Sequence, residues 1–185
     1  LAPLAEIERA LVMTEAQNGT ARLAATDAAL MQAALERVQT EAQGLVETAL
    51  SVPVGVGATP SLLATEARGA LSAMIGALNG NSAGRALFSG DRSDVTPLAP
   101  ANTLLSDLRI VLAAAPDQAG IEAALDAFFD TPGGGFETAI YRGGTGAAAG
   151  VSLGAGETVT LRISADDAAL RSQLKNTAMA ALIDD

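Results

Sequence analysis

From Leu4 to Leu50, apolar residues recur at helical spacing. Leu4, Ile7 and Leu11 begin a seam, and Leu23, Leu30, Val38 and Leu45 continue one at intervals of seven or eight. Met31, Leu35 and Val46 widen the stripe beyond a strict two-position seam, while Glu36, Arg37, Gln39 and Glu41 fall mostly outside it. The pattern predicts one long helix over residues 4–50. Asn18-Gly19 and Gly44 weaken it, each glycine costing about 1 kcal/mol against alanine. Asn18-Gly19 is a place for a break, but the pattern resumes without a proline, so continuity is the expectation.

Val52–Gly57, VPVGVG, ends that helix, because Pro53 and two glycines oppose its continuation. Thr59-Pro60 reads as an N-cap followed by proline at the first helical position. The second helix carries Ala64, Ala67, Leu71, Met74, Ile75 and Leu78 on one face, and Asn79-Gly80 closes it. A connection this short predicts antiparallel packing of the two helices, with a third helix needed to complete a bundle.

Further along, Leu104, Leu105, Leu108, Val111 and Leu112 predict a helix stopped by Pro116. Asp117 caps another, with Ile121, Leu125 and Phe128 on one face, stopped by TPGGG at residues 131–135. Phe136–Arg142 alternates modestly and reads as a strand. Val151–Leu153 and Thr158–Ile163 are the clearest strand signals, joined through Gly154-Ala155-Gly156. Ser164–Asp167 fits a capping box ahead of a last helix that turns Leu170, Leu174, Ala178, Ala181 and Leu182 inward.

Much of the apolar content is alanine, and aromatic residues make up 3%. Alanine favours helix but buries little area, so its cores rely on long contacts between closely spaced helices. The net charge is −10 and the pI about 4.3. Lys175 is the only lysine and the arginines stand singly, so no basic stripe exists to follow a phosphate backbone, and nucleic acid is not an expected partner. No cysteine or histidine is present, which excludes disulfides, thiolate chemistry, ordinary zinc sites and histidine acid–base work. No continuous apolar run spans a membrane and no signal peptide is visible. The opening Leu1-Ala2-Pro3, without Met, reads as a piece of a longer protein.

Candidate chemistry is sparse. Gly143–Gly150, GGTGAAAG, has the glycine content of a nucleotide loop, but its third glycine is misplaced and no Gly-Lys-Ser/Thr follows, so a plain loop is expected. Residues 91–102, DRSDVTPLAPAN, start like a calcium loop yet lack its glycine and terminal glutamate. Asp166-Asp167 and Asp184-Asp185 are paired carboxylates, the first pair suited to a helix N-terminus. Asn18-Gly19-Thr20 has the form of a glycosylation triplet inside a predicted helix. Ser172 and Lys175 have S-x-x-K spacing without the other elements of that signature, so two polar residues on a wet face are expected. No catalytic residue, cofactor, metal or small-molecule substrate is expected.

Asn79–Gly90, NGNSAGRALFSG, is the most distinctive stretch. Leu78-Asn79 followed by Gly84-Arg85-Ala86-Leu87-Phe88-Ser89-Gly90 resembles the LN…NGRYLFSG segment of the flagellin superfamily, in the form found in hook-associated proteins of the hook–filament junction. Filament flagellins tend to read FNGKKLL there. Ala83 stands in place of the family's Asn, and Ala86 in place of its usual Tyr. FETAIYRGG at residues 136–144 looks like the stretch near the end of the family's variable domain. ADDAALRSQLKNTAMAAL at residues 165–182 resembles the return helix of alphaproteobacterial members.

The resemblance implies a structural subunit of the bacterial flagellum, extracellular, exported through the flagellar channel without a cleaved signal. Its implied partners are copies of itself, the hook-side junction protein and flagellin, with filament flagellin as the alternative identity. A soluble helical binding or adhesin domain is the alternative from another class. Gly84, Arg85, Leu87, Phe88 and Gly90 become a structural turn motif between scaffold and insertion. Leu87 and Phe88 are expected to pin the turn, and Arg85 to reach nearby carboxylates or carbonyls. The expected fold is mainly α: an elongated antiparallel helical bundle with a small α+β insertion. Residues 1–90 form the helical scaffold, 91–163 the insertion, and 164–185 a return helix packing on the scaffold or the insertion.

Overall fold

A computed structural model of the chain describes residues 2–51, 59–154 and 157–184. Helix α1 spans Ala2–Ser51 without interruption, passing through Asn18-Gly19 and Gly44, where a Cβ would meet nothing within 4 Å. Helix α2, Thr59–Leu78, packs along it. VPVGVG, the Thr59 side chain and the turn at Ala155-Gly156 lie outside the described residues. A short hairpin follows, β1 Asn81–Ser82 with β2 Arg85–Ala86, then α3 Ala101–Ala113 and α4 Gln118–Phe129. A single π-helical turn, Phe136–Ile140, leads to the hairpin β3 Val151–Gly154 with β4 Glu157–Val159, and α5 Ala168–Ala181 closes the described chain. The fold is mainly helical.

Helix α2 is central because its apolar face is continuous. Ala64, Ala67, Leu71, Met74, Ile75 and Leu78 are all buried, with α1 and α5 both against α2. One connected cluster joins Met31 and Val38 of α1 to Leu98, Leu104, Leu108, Phe129, Ile140, Leu174 and Ala178. The segments expected as scaffold, insertion and return helix therefore share a core. Phe129 sits edge-on to Phe128 at 5.2 Å and stacks on Phe136 at 5.4 Å. Such pairs contribute about 0.5–1.5 kcal/mol beyond their area. Three of the four phenylalanines thus add specific ring packing that alanine cannot provide.

The seam expected along α1 is corrected over its first half. Leu4, Ile7, Leu11, Leu23 and Leu30 are exposed, as are Val12, Met13 and Val46. The buried positions are Asp27, Met31 and Val38, with Ala34, Leu35, Ala42 and Leu45 half-buried beside them. At about 100° per residue these share a face that Leu4, Ile7 and Leu11 do not. Spacings of seven and eight link residues correctly only within one stripe, and here two stripes were joined.

Three further expectations are corrected. Phe136–Arg142 is not a strand: Phe136 and Ile140 are buried and the residues between are not, a period of four rather than two. The Tyr141 N–H donates to the Phe136 carbonyl at 2.7 Å, closing the wide turn. Only Tyr141 reaches strand geometry, in one bridge to Leu98. The strand expected over Thr158–Ile163 stops at Val159, where pairing with β3, which begins at Val151, ends. Ser164 does not cap α5, whose flanking residue is Asp167. Half of the box still forms around the preceding turn, where the Ser164 N–H donates to Asp167 Oδ2 at 3.1 Å. Asp117 does cap α4, accepting the Gly120 N–H at 2.8 Å.

Candidate functional site

The segment after α2 is built by polar side chains that replace missing backbone partners. The Asn79 amide pairs with both backbone groups of Leu98, donating to its carbonyl at 3.0 Å and accepting its N–H at 2.9 Å. A side chain thereby acts like one rung of a sheet, and Leu98 bridges Tyr141 on its other side. Neighbouring bonds from the Ala99 N–H to the Ile140 carbonyl and the Arg142 N–H to the Pro97 carbonyl, 2.9 and 2.8 Å, continue that seam.

Between β1 and β2 lies a two-residue turn, Ala83-Gly84, with φ of 49° and 79°. Positive φ at both central residues is the tight hairpin geometry that prefers Asn-Gly, because an L side chain is strained there. Glycine meets the demand at Gly84; Ala83 does not. Arg85 reaches back to α1, where its guanidinium donates to Asp27 Oδ2 at 2.8 Å. The Asp27 side chain is only 10% exposed against 56% for Arg85, and Asp27 Oδ1 is buried without a hydrogen bond.

Leu87 is half-buried against the core and its N–H donates to the Gly80 carbonyl at 3.2 Å. Phe88 is fully buried, and its carbonyl accepts the Ala165 N–H at 2.9 Å, tying the turn to the approach to α5. Ser89 is buried as well, its hydroxyl donating to the Val95 carbonyl. Gly90 has φ 61°, and a Cβ there would stand 2.6 Å from the carbonyl oxygens of both Gly144 and Gly146. The motif residues Gly84, Arg85, Leu87, Phe88 and Gly90 thus occupy one turn that touches α1, the glycine loop and the lead into α5.

The glycine loop has a definite task. The Asp91 N–H donates to the Gly146 carbonyl at 3.0 Å, and the Gly144 N–H to the Ser89 carbonyl at 2.8 Å. The Asp91 carboxylate lies so close that a Cβ at Gly144 or Gly146 would collide with it. Tyr141 donates its hydroxyl to the Gly144 carbonyl at 2.8 Å. Burial, the largest influence on it, pushes the Tyr141 phenol above its ordinary range. The glycines are there for close approach of the chain to itself.

Two concavities are present, one of them bordering this region. An apolar groove of about 860 Å³ runs between α1 and α5, with Val38, Leu45, Leu63, Leu170 and Ala180 among its walls. A polar cavity of about 350 Å³ lies between the glycine loop and residues 161–167, with Asp166 and Asp167 at its edge. Ser172 is exposed, while Lys175 Nζ is held by Asp126 of α4 and, at 2.6 Å, by Asp130, which follows its last residue. Burial pushes the Lys175 ammonium down, but its two carboxylate partners outweigh that and leave it raised. The S-x-x-K spacing therefore holds an ion-pair anchor between α4 and α5 rather than a base beside a nucleophile. Among the described residues no group of three or more acidic side chains is placed to hold a metal, and no helix is long and apolar enough to cross a membrane.

Asp27 escaped the sequence reading, although a lone acid four residues before Met31 on the core face was its signal. Asp91 escaped it because its partners are glycine backbones more than fifty residues away. In comparisons with known proteins, no family model, no curated protein and no solved structure matches the chain.

Proposed function

We propose that this chain is a structural subunit of the bacterial flagellum, an adaptor joining hook to filament, without enzymatic activity. The reading rests on the turn motif at residues 84–90 and on one structural observation: half of a 50-residue helix stands with its apolar side chains in solvent. Leu4, Ile7, Leu11, Leu23 and Leu30 are each between 43% and 64% exposed. An apolar face of that length is the surface that an assembly covers. In this reading the helices form an elongated antiparallel bundle, supported by Leu63 lining one groove with Leu45 and Val46 while Arg85 meets Asp27. Residues 91–163 are the insertion, joined to the scaffold through the shared core. The protein is extracellular, exported through the flagellar channel. Its partners are neighbouring copies, the hook-side junction protein and flagellin, with filament flagellin as the nearest alternative role.

Removing the gene tests the reading. An adaptor predicts cells that build hooks, release flagellin into the medium and do not swim. Loss of the filament material itself favours the flagellin role. Normal motility overturns both. The groove between α1 and α5 favours one reading of a different class, a helical binding domain, which predicts a tight, specific ligand for the purified chain and unimpaired motility.

A further inference from the structure

The start of α5 carries more negative than positive charge in a confined place. Arg171 extends from α5 to Glu137 of the π-helical turn, its Nη1 lying 3.0 Å from Glu137 Oε1. The same Nη1 is 3.7 Å from Asp166 Oδ1, beyond hydrogen-bond reach. Asp166 Oδ1 is itself buried and accepts no hydrogen bond, and Arg171 Nε is buried and donates none. Asp167 stands next along the chain, its Oδ2 engaged by the Ser164 N–H at 3.1 Å. One guanidinium thus serves two carboxylates, Glu137 the nearer, with Asp167 a third negative charge beside Asp166. Arg162 lines the same cavity as Asp166 and Asp167 but has no ion pair with either.

We propose that Glu137, Arg171 and Asp166 form a proton-responsive clasp between the π-helical turn and α5, which tightens when Asp166 takes up a proton. Ionised, Asp166 loses solvation and meets the fields of Glu137 and Asp167, with a single shared cation at long range. Protonated, it keeps its place, relieves both repulsions and leaves Arg171 wholly to Glu137. The electrostatics run the same way. Burial is the largest influence on the Asp166 carboxyl and raises it above its ordinary range, Arg171 opposes this, and Glu137 and Asp167 add to it. Because the folded chain then holds this proton more tightly than the unfolded one, folding gains as pH falls through the folded value. The gain is complete once pH is below the ordinary carboxylate range. The clasp joins the segment resembling the end of a variable domain to the helix that returns to α2, so its state sets how firmly that helix is held. This inference is independent of the flagellar reading.

The test compares the intact chain with Asp166→Asn and, as a control, Asp167→Asn. Urea unfolding would be followed at about pH 7 and about pH 3, below the ordinary carboxylate range, because the difference between two chains cancels the titration of acids not coupled to Asp166. Asp166→Asn should be the more stable protein at the higher pH, and the gap should narrow several-fold at the lower pH, while Asp167→Asn shows no such gain. A gap unchanged by pH, or an Asn variant less stable at both, overturns the clasp. Carbon NMR titration of the Asp166 carboxyl in the unmodified chain and in Glu137→Gln gives a reading that needs no Asp166 variant. The midpoint should lie above the ordinary aspartate range and fall in Glu137→Gln. A midpoint at or below that range, or one indifferent to Glu137, overturns it.

Discussion

Arg85 of the second hairpin strand donates to the buried carboxylate of Asp27 on α1 at 2.8 Å. The pair is asymmetric, because water reaches the arginine but hardly the aspartate. Removing Arg85 leaves a buried charge with no partner, whereas removing Asp27 leaves an exposed cation that water satisfies. Arg85→Ala should therefore cost about 1–2 kcal/mol, below the 3–5 kcal/mol typical when both members are buried. Asp27→Asn should cost less, and the double variant less than the sum. Urea unfolding of all four proteins measures the coupling. Additive losses would mean that the contact contributes nothing.

Ala83 carries φ of 49° in a turn whose geometry prefers asparagine or glycine. Ala83→Asn should raise stability by about 0.5–1 kcal/mol, the strain of an L side chain in the left-handed region being about 1–2 kcal/mol. A thermal melt at fixed protein concentration is sufficient, and an unchanged or lowered midpoint would show that Ala83 is not strained.

Long elements were legible in the sequence because helical periodicity over many turns has no competitor. The α2 face could be read residue by residue, and Asp117 could be read as a cap from its place before Ile121. Apart from the α1 face, where two stripes share similar spacings, what failed was decided beyond local pattern. Phe136–Ile140 became a π turn because Phe129 and the core claim Phe136 and Ile140 together, overriding a weak alternation. The strand from Thr158 stops at Val159 because its partner begins only at Val151. The motif at residues 84–90 was legible as a turn, yet its partner Asp27 was hidden. A buried acid inside an alanine-rich helix looks like a solvated one until the arginine arrives from 58 positions further along.

Gly84 and Gly90 both have positive φ, but their surroundings differ. A Cβ at Gly84 meets nothing within 4 Å, while one at Gly90 stands 2.6 Å from two carbonyl oxygens. Gly84→Ala should cost about 1–2 kcal/mol, the conformational term alone. Gly90→Ala adds a backbone collision and should cost about 3 kcal/mol or more, separating the glycine loop from the Ser89–Asp91 turn. Comparing their urea midpoints isolates the steric term. Equal losses would mean that the loop moves aside freely.

Phe88 has no exposed surface and its backbone carries the bond to Ala165. Truncation to alanine leaves that bond available but empties the ring's place in the core. Phe88→Ala should cost about 3–5 kcal/mol in a denaturant melt, the range for buried aromatic rings. Leu87→Ala, at a half-buried site, should cost clearly less. A near-zero loss for Phe88→Ala would show that the ring is not the anchor of this turn.

The exposed half of α1 separates folding from assembly. Leu4, Ile7 and Leu11 are each at least 58% exposed and take no part in the buried cluster. Replacing all three by glutamine keeps helix propensity and removes only apolar surface. Stability of the isolated chain should change by no more than about 0.5 kcal/mol per site, as at other exposed positions. If the flagellar reading is right, the same triple variant should fail to restore filament attachment in a deletion strain, although the protein is exported. Measuring both quantities on one variant distinguishes the cases. Full restoration of attachment would show that this face is not an assembly surface, whatever the role of the chain. A large loss of stability would show that it packs within the isolated chain.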